Sequence, residues 1–229
     1  MDEIDKDNAF RDANTIATIL TQPENPAANA DPHWQNTAKQ LITATILHVK
    51  CCEDCEDKSL PGVYKYLSQG NSDPNDKGDA KKALLKKMIN SRHCTKEIHS
   101  SICSYANAIL SAADEEMGSI FSSTLEALSV FNDDKVAWTS SASDFCLDDF
   151  KYSETPISWY LTIPFPDLDR LKSLLRLYIE FICRKFSQDG TLHGNETLKN
   201  RILFLIDEFP TLGKMETVSC PPSKLSLVA

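Results

Sequence analysis

Glycine is scarce in this chain, with seven in 229 residues, and no window reads G-x-x-x-x-G-K-[ST]. That spacing is needed for backbone amides and a lysine to cradle phosphates, so the sequence holds no phosphate loop of its own. Long apolar runs are also missing. Nothing here approaches the length of a bilayer-spanning helix, and the opening MDEIDKDNAF is too polar for a secretory leader. Positive charge is in deficit, since 24 basic against 33 acidic residues leave a net charge of -9. A uniformly basic nucleic-acid binder is therefore excluded, although a local basic groove is not. Cysteine, by contrast, is plentiful. Eight of them without a leader lead to the expectation of free thiols in a reducing compartment.

What is present divides into three zones. In AFRDANTIATILTQ, Phe10, Ala13, Ala17 and Leu20 recur at helical spacing. PENPAANADP then interrupts, and Asp31-Pro32 supplies a cap and a first-turn proline. HWQNTAKQLITATILHV follows with Trp34, Ala38, Leu41, Ile42, Thr45 and Val49 on one stripe, which predicts an amphipathic helix. From there to about Phe131 the chain reads as helical throughout. LPGVYKYLSQ and AKKALLKKMIN are short helices. IHSSICSYANAILSAADEEMGSIFSSTLEALSVF is one long helical stretch, with Gly118 its only interruption.

The period then changes. In TPISWYLTIP, Ile157, Trp159, Leu161 and Ile163 alternate with polar or outward positions, which predicts a strand. DLDRLKSLLRLYIEFICRKF predicts a helix capped by Asp167, and SQDGTLHGNETLKN a loop. RILFLID lacks polar alternation, as expected of a parallel strand covered on both faces. Strand, helix and strand make a crossover unit of an α/β sheet, and ligands of such sheets lie beyond the carboxyl ends of the strands. Asp207 and Glu208 stand at such an end. An apolar strand closing on Asp-Glu is the Walker B pattern, in which the Asp holds Mg²⁺ and the Glu orients or deprotonates the attacking water. A strand that merely ends in surface acids matches the bare pattern equally well.

Several segments together resemble a known family. LFLIDEFPTLGK, DPHWQNTAKQLITATILHV, SIFSSTLEALSVFNDDKV, SDFCLDDF and PISWYLTIPFPDLDRLKSLLRLYIE are similar, in order and spacing, to TraG/TraD-type coupling proteins of conjugation and type IV secretion. The resemblance covers about Asp2 to Glu216. It implies an α/β fold: an incomplete RecA-like P-loop NTPase domain carrying a larger inserted all-α domain. The implied division is residues 1–30 as the end of the preceding nucleotide-binding part and 31–135 as the insertion. Residues 136–216 then resume the nucleotide-binding domain, and 217–229 form a divergent tail.

The resemblance further implies ATP and Mg²⁺ as cofactors of the full-length family, with Asp207 on the Mg²⁺ and nucleotide side and Glu208 as the catalytic residue. The implied partners are relaxase or effector proteins, DNA, secretion-channel proteins and five further copies in a homo-hexamer. The family works at the cytoplasmic face of the bacterial inner membrane, and this stretch, without a membrane segment, is expected to be cytoplasmic. The phosphate loop would fall upstream of Met1, so a fragment that binds no nucleotide and is catalytically inactive alone is expected. Two other function classes stay open, a stand-alone helical substrate-binding module and a small metal-dependent hydrolase using Asp207 and Glu208.

Two further signals each have a simpler reading beside them. Cys51, Cys52 and Cys55 with His93, Cys94, His99 and Cys103 contain one C-x-x-C, half of a usual zinc knuckle. No second C-x-x-C accompanies it, and helical cysteines more often fill small core spaces, so the expectation is core packing rather than zinc. No cysteine carries flanking residues that mark a nucleophile. The basic run KKALLKKMINSRH is read as a solvated helix face, with contact to DNA or to an acidic partner tail as the rival.

Overall fold

A computed structural model describes residues 1, 3–4, 7–22, 32–71, 79–192, 202–207, 215 and 225–228. The chain divides into two compact units, one holding the described residues up to Ser143 and the other those from Asp144 onward. The fold is mostly helical with very little sheet.

In the first unit α1 (Ala9–Thr21) packs on α2 (Pro32–Cys51), which also meets α3 (Leu60–Ser68), α5 (Lys96–Leu110) and α6 (Asp114–Ala127). The α4 helix (Asp79–Asn90) lies against α5, and α7 (Asp134–Thr139) follows a 3-10 turn at Ser129–Asn132. The stripe expected on α2 understates its burial. Every residue from Leu41 to Val49 is buried, so α2 is the central strut rather than a surface helix. Thr43 and Thr45 tolerate this because their hydroxyls donate to the carbonyls of Lys39 and Leu41, each at 2.8 Å.

The long helical stretch expected after Ile98 is broken between Leu110 and Asp114, and not at Gly118, which lies inside α6 with open space beside it. The break has a local cause. Asp114, Glu115 and Glu116 occupy the first turn of α6, where carboxylates favour the positive end of the helix dipole. Thr95 caps α5 by accepting from the Ile98 amide at 3.2 Å, and Asp133 caps α7 by accepting from the amides of Lys135 and Val136. Gly62 in α3 is required by space: a Cβ there would overlap the Asp57 carbonyl oxygen. The cap expected at Asp31 lies outside the described residues.

Not all cysteines are free. Cys51 and Cys94 form a disulfide across 43 residues, joining the end of α2 to the segment between α4 and α5. In the chain-entropy picture a loop of that length is worth about 4 kcal/mol in the oxidised protein. The expectation of free thiols holds for Cys52, Cys55, Cys103, Cys146 and Cys183 among the described residues.

In the second unit α8 (Asp149–Tyr152) precedes α9 (Leu168–Leu192), which extends into the stretch expected as a loop. Strand β1 (Ile202–Leu205) pairs in parallel with β2 (Leu225–Val228), Ile202 opposite Leu225 and Leu205 opposite Val228. Hence the residues assigned to a divergent tail supply the partner strand. The segment expected as the first strand is not one. Residues 153–164 lack regular structure, and Ile157, Trp159, Tyr160 and Leu161 are exposed. Trp159 instead stacks edge-on against Tyr178 of α9, 5.9 Å between centroids, and lies 5.7 Å from Phe145.

Coverage of β1 is also one-sided among the described residues. Ile202, Phe204 and Ile206 face the apolar side of α9, around Leu175, Ile182, Cys183 and Phe186. Leu203 and Leu205 are 62% and 76% exposed. The α/β character thus consists here of one helix on one face of a two-stranded parallel sheet.

Candidate functional site

The carboxyl end of β1 is built by an apolar strand whose alternate residues anchor to α9. Ile206 and Phe204 join the cluster of Leu175, Cys183 and Met215, so the strand cannot slide without breaking these contacts. Met215 is itself buried, which brings the chain back to α9 after the β1 turn. Asp207 stands in the turn directly after this anchored strand, and its side chain is exposed. A carboxylate held there by a rigid strand can take a hydrated Mg²⁺ from solvent. Glu208 lies outside the described residues, as does the Gly213-Lys214 pair.

A buried charge network lies on α9 and α8. The Glu180 carboxylate of α9 is fully buried. It lies 3.8 Å from Arg176 and 3.5 Å from Arg184, one helical turn to either side. Lys151 of α8 is also fully buried, 3.4 Å from Asp148 and 4.7 Å from the Phe186 ring centre. The spacing R-x-x-x-E-x-x-x-R was the readable signal, because residues four apart share a helix face. Burial, with Glu180 nearby, pushes the Cys183 thiol up to about 12, so it stays protonated and serves packing.

The basic face of α4 is partly used internally. Lys82 pairs with Asp114 at 2.7 Å and the Lys81 ammonium sits 5.9 Å from the Phe121 ring centre, while Lys86 and Lys87 face solvent. Leu84, Leu85 and Met88 form the buried side.

The structure brings the weighed cysteines and histidines together more closely than the sequence suggested. His48 is fully buried in α2, and its Nδ1 lies 2.9 Å from His93 Nε2. His93 Nδ1 lies 2.9 Å from His99 Nδ1, and His99 Nε2 lies 3.4 Å from Cys103 Sγ. Burial and the neighbouring His93 lower the His48 pKa to about 4; burial and His99 also lower that of His93. His48 was not among the candidates, although H-x-x-x-C from His48 to Cys52 spans one helical turn.

With this geometry in place, known proteins supply context. The family model described as Type IV secretory system Conjugative DNA transfer matches residues 1–220. A conjugal transfer protein TraG of Escherichia coli is 30% identical over 210 residues, covering 90% of this chain and 32% of the relative. A second TraG of Escherichia coli is 28% identical over 210 residues with the same coverage. The chain thus spans about a third of the length of these curated relatives. No solved structure matches it.

Proposed function

Because this chain belongs to the type IV secretory system conjugative DNA transfer family, we propose that it is a TraG-type coupling-protein segment in which substrate recruitment and nucleotide response lie in separate units. The observation that carries this reading is the anchored parallel strand β1, with Asp207 in the turn that follows it and α9 packed along one face. On this reading residues 136–216 belong to a RecA-like nucleotide-binding domain and residues 31–135 to its all-α insertion. Residues 1–30 lead in from the preceding nucleotide-binding part, with α1 packed on α2 in the helical unit, and 217–229 contribute the neighbouring strand.

In the complete motor, Asp207 would help to hold the Mg²⁺ that accompanies ATP, and the nucleotide would supply the phosphoanhydride to be cleaved. Glu208 orients the attacking water. Phosphate cradling is needed as well, because the charge developing on the transferred phosphoryl group must be compensated. The sequence has no such cradle, so the chain by itself is catalytically inactive. The expected result is ATP turnover indistinguishable from a protein-free control in a coupled phosphate-release assay with Mg²⁺. Turnover that disappears in Asp207→Ala would overturn this.

The helical unit serves recruitment. Among the described residues its helices gather around α2 as one compact unit, which suits a recognition module. Its cargo is a relaxase or effector protein, alone or with bound DNA, and the assembly is the homo-hexamer at the secretion channel. The chain is expected to co-elute in size-exclusion chromatography with the relaxase of the same conjugative element, at micromolar concentrations and without nucleotide. Failure to co-elute at 0.1 M salt, with both proteins folded by circular dichroism, would remove the recruitment assignment.

A further inference from the structure

The end of α2 carries two buried polar atoms that have no hydrogen-bond partner. One is Nε2 of His48, the other the hydroxyl of Tyr66 on α3, and the two rings lie 4.9 Å apart. Buried polar groups are nearly always satisfied, so an orphaned pair in one place points to a missing occupant. Beside them stand Cys52, buried at the close of α2, and Cys55, in the following turn. The donor atoms of His48, Cys52 and Cys55 all lie within 4.8 Å of one another. Tetrahedral zinc with nitrogen and sulfur ligands needs donors about 3.5–4 Å apart, within reach of small side-chain adjustments.

The surroundings prepare this set for a metal. A neutral histidine has one N–H to give. If His48 Nδ1 donates to His93 Nε2, His93 Nδ1 to His99 Nδ1, and His99 Nε2 to Cys103, every N–H in the chain is used. His48 Nε2 is then left with an outward lone pair. Metal-ligating histidines are held in this way, the second ring nitrogen donating to a fixed partner. The disulfide between Cys51 and Cys94 keeps His93, the adjacent residue, against His48. Core filling explains a buried Cys52, but it leaves both orphaned atoms unexplained.

We propose that His48, through Nε2, together with Cys52 and Cys55 binds a zinc ion, whose fourth position is taken by water beside the Tyr66 hydroxyl. Binding releases two thiol protons to solvent and leaves zinc in the divalent state. The ion ties the end of α2 to the turn that leads into α3, and so fixes the centre of the helical unit. This assignment does not depend on the role proposed for that unit.

The test is metal content and cobalt spectroscopy on the full chain. After exhaustive dialysis without chelator, plasma mass spectrometry is expected to find about one zinc per chain. Replacement with Co²⁺ is expected to give tetrahedral d–d bands together with a thiolate charge-transfer band. Cys52→Ser and Cys55→Ser should each weaken zinc at least 100-fold in competition with a chelating indicator, and His93→Gln about tenfold. Cys146→Ser should leave it unchanged. A zinc-free wild-type chain, a cobalt form lacking the thiolate band, or zinc retained in both serine variants overturns the assignment. The wild-type cobalt spectrum decides even where a variant fails to fold.

Discussion

Replacing Phe121 by alanine is expected to cost the helical unit about 4 kcal/mol, within the range of buried Phe→Ala changes. Phe121 is fully buried on α6. Its ring edge reaches the backbone at Gly70 so closely that a Cβ there would lie 3.2 Å from Cε1, and Lys81 lies over the ring. The ring therefore joins α6, α4 and the 3-10 turn after α3. Truncation leaves a cavity that three separate elements must move together to fill. A fall in melting temperature of roughly 10 °C follows for a unit of this size. Phe121→Leu, which keeps most of the volume, should cost well under half as much. Chemical denaturation followed by far-ultraviolet circular dichroism reads both. A loss below about 1 kcal/mol in the alanine variant would mean that the ring is not a keystone.

The second large effect is expected at Glu180. Its carboxylate is fully buried between Arg176, itself buried, and the half-buried Arg184. Removing one member of a buried ion network leaves the other's charge without compensation, at a cost of about 3–5 kcal/mol. Glu180→Ala should fall in this range and should loosen α9 from β1, giving faster hydrogen exchange at Phe204. Converting Glu180 and Arg176 together to leucine should restore much of the loss, because the buried Glu180–Arg176 pair is then removed as a whole and Arg184 is only half-buried. If the alanine variant stays within 1 kcal/mol of wild type, or the double variant is worse than the single, the network does not hold the second unit.

Helix identity was readable along the chain because helical periodicity is a local property. The spacing of Ala13, Ala17 and Leu20, or of Leu84, Leu85 and Met88, exists before any tertiary contact forms. The break before α6 is also written in the sequence, in the acids of its first turn, although Gly118 is the more conspicuous interruption. Family membership was legible for the same reason, since contiguous words such as LIDEFPTLGK need no folding to be matched.

Strands are another matter. Residues 156–163 alternate as a strand should, yet alternation states only which side chains would share a face. A strand exists when a neighbour supplies hydrogen bonds, and among the described residues none does so for this segment, whereas Leu225–Val228 does so for β1. The all-round burial of α2 likewise came from the elements gathered about it, not from its own stripe. Sequence by itself determined the helices, the apolar strand ending at Asp207 and the family. Tertiary structure alone decided which strand pairs with β1 and that Glu180 lies buried among arginines. It also decided that His48 meets His93 across 45 residues, because contacts between residues distant in the chain depend on the path of everything between them.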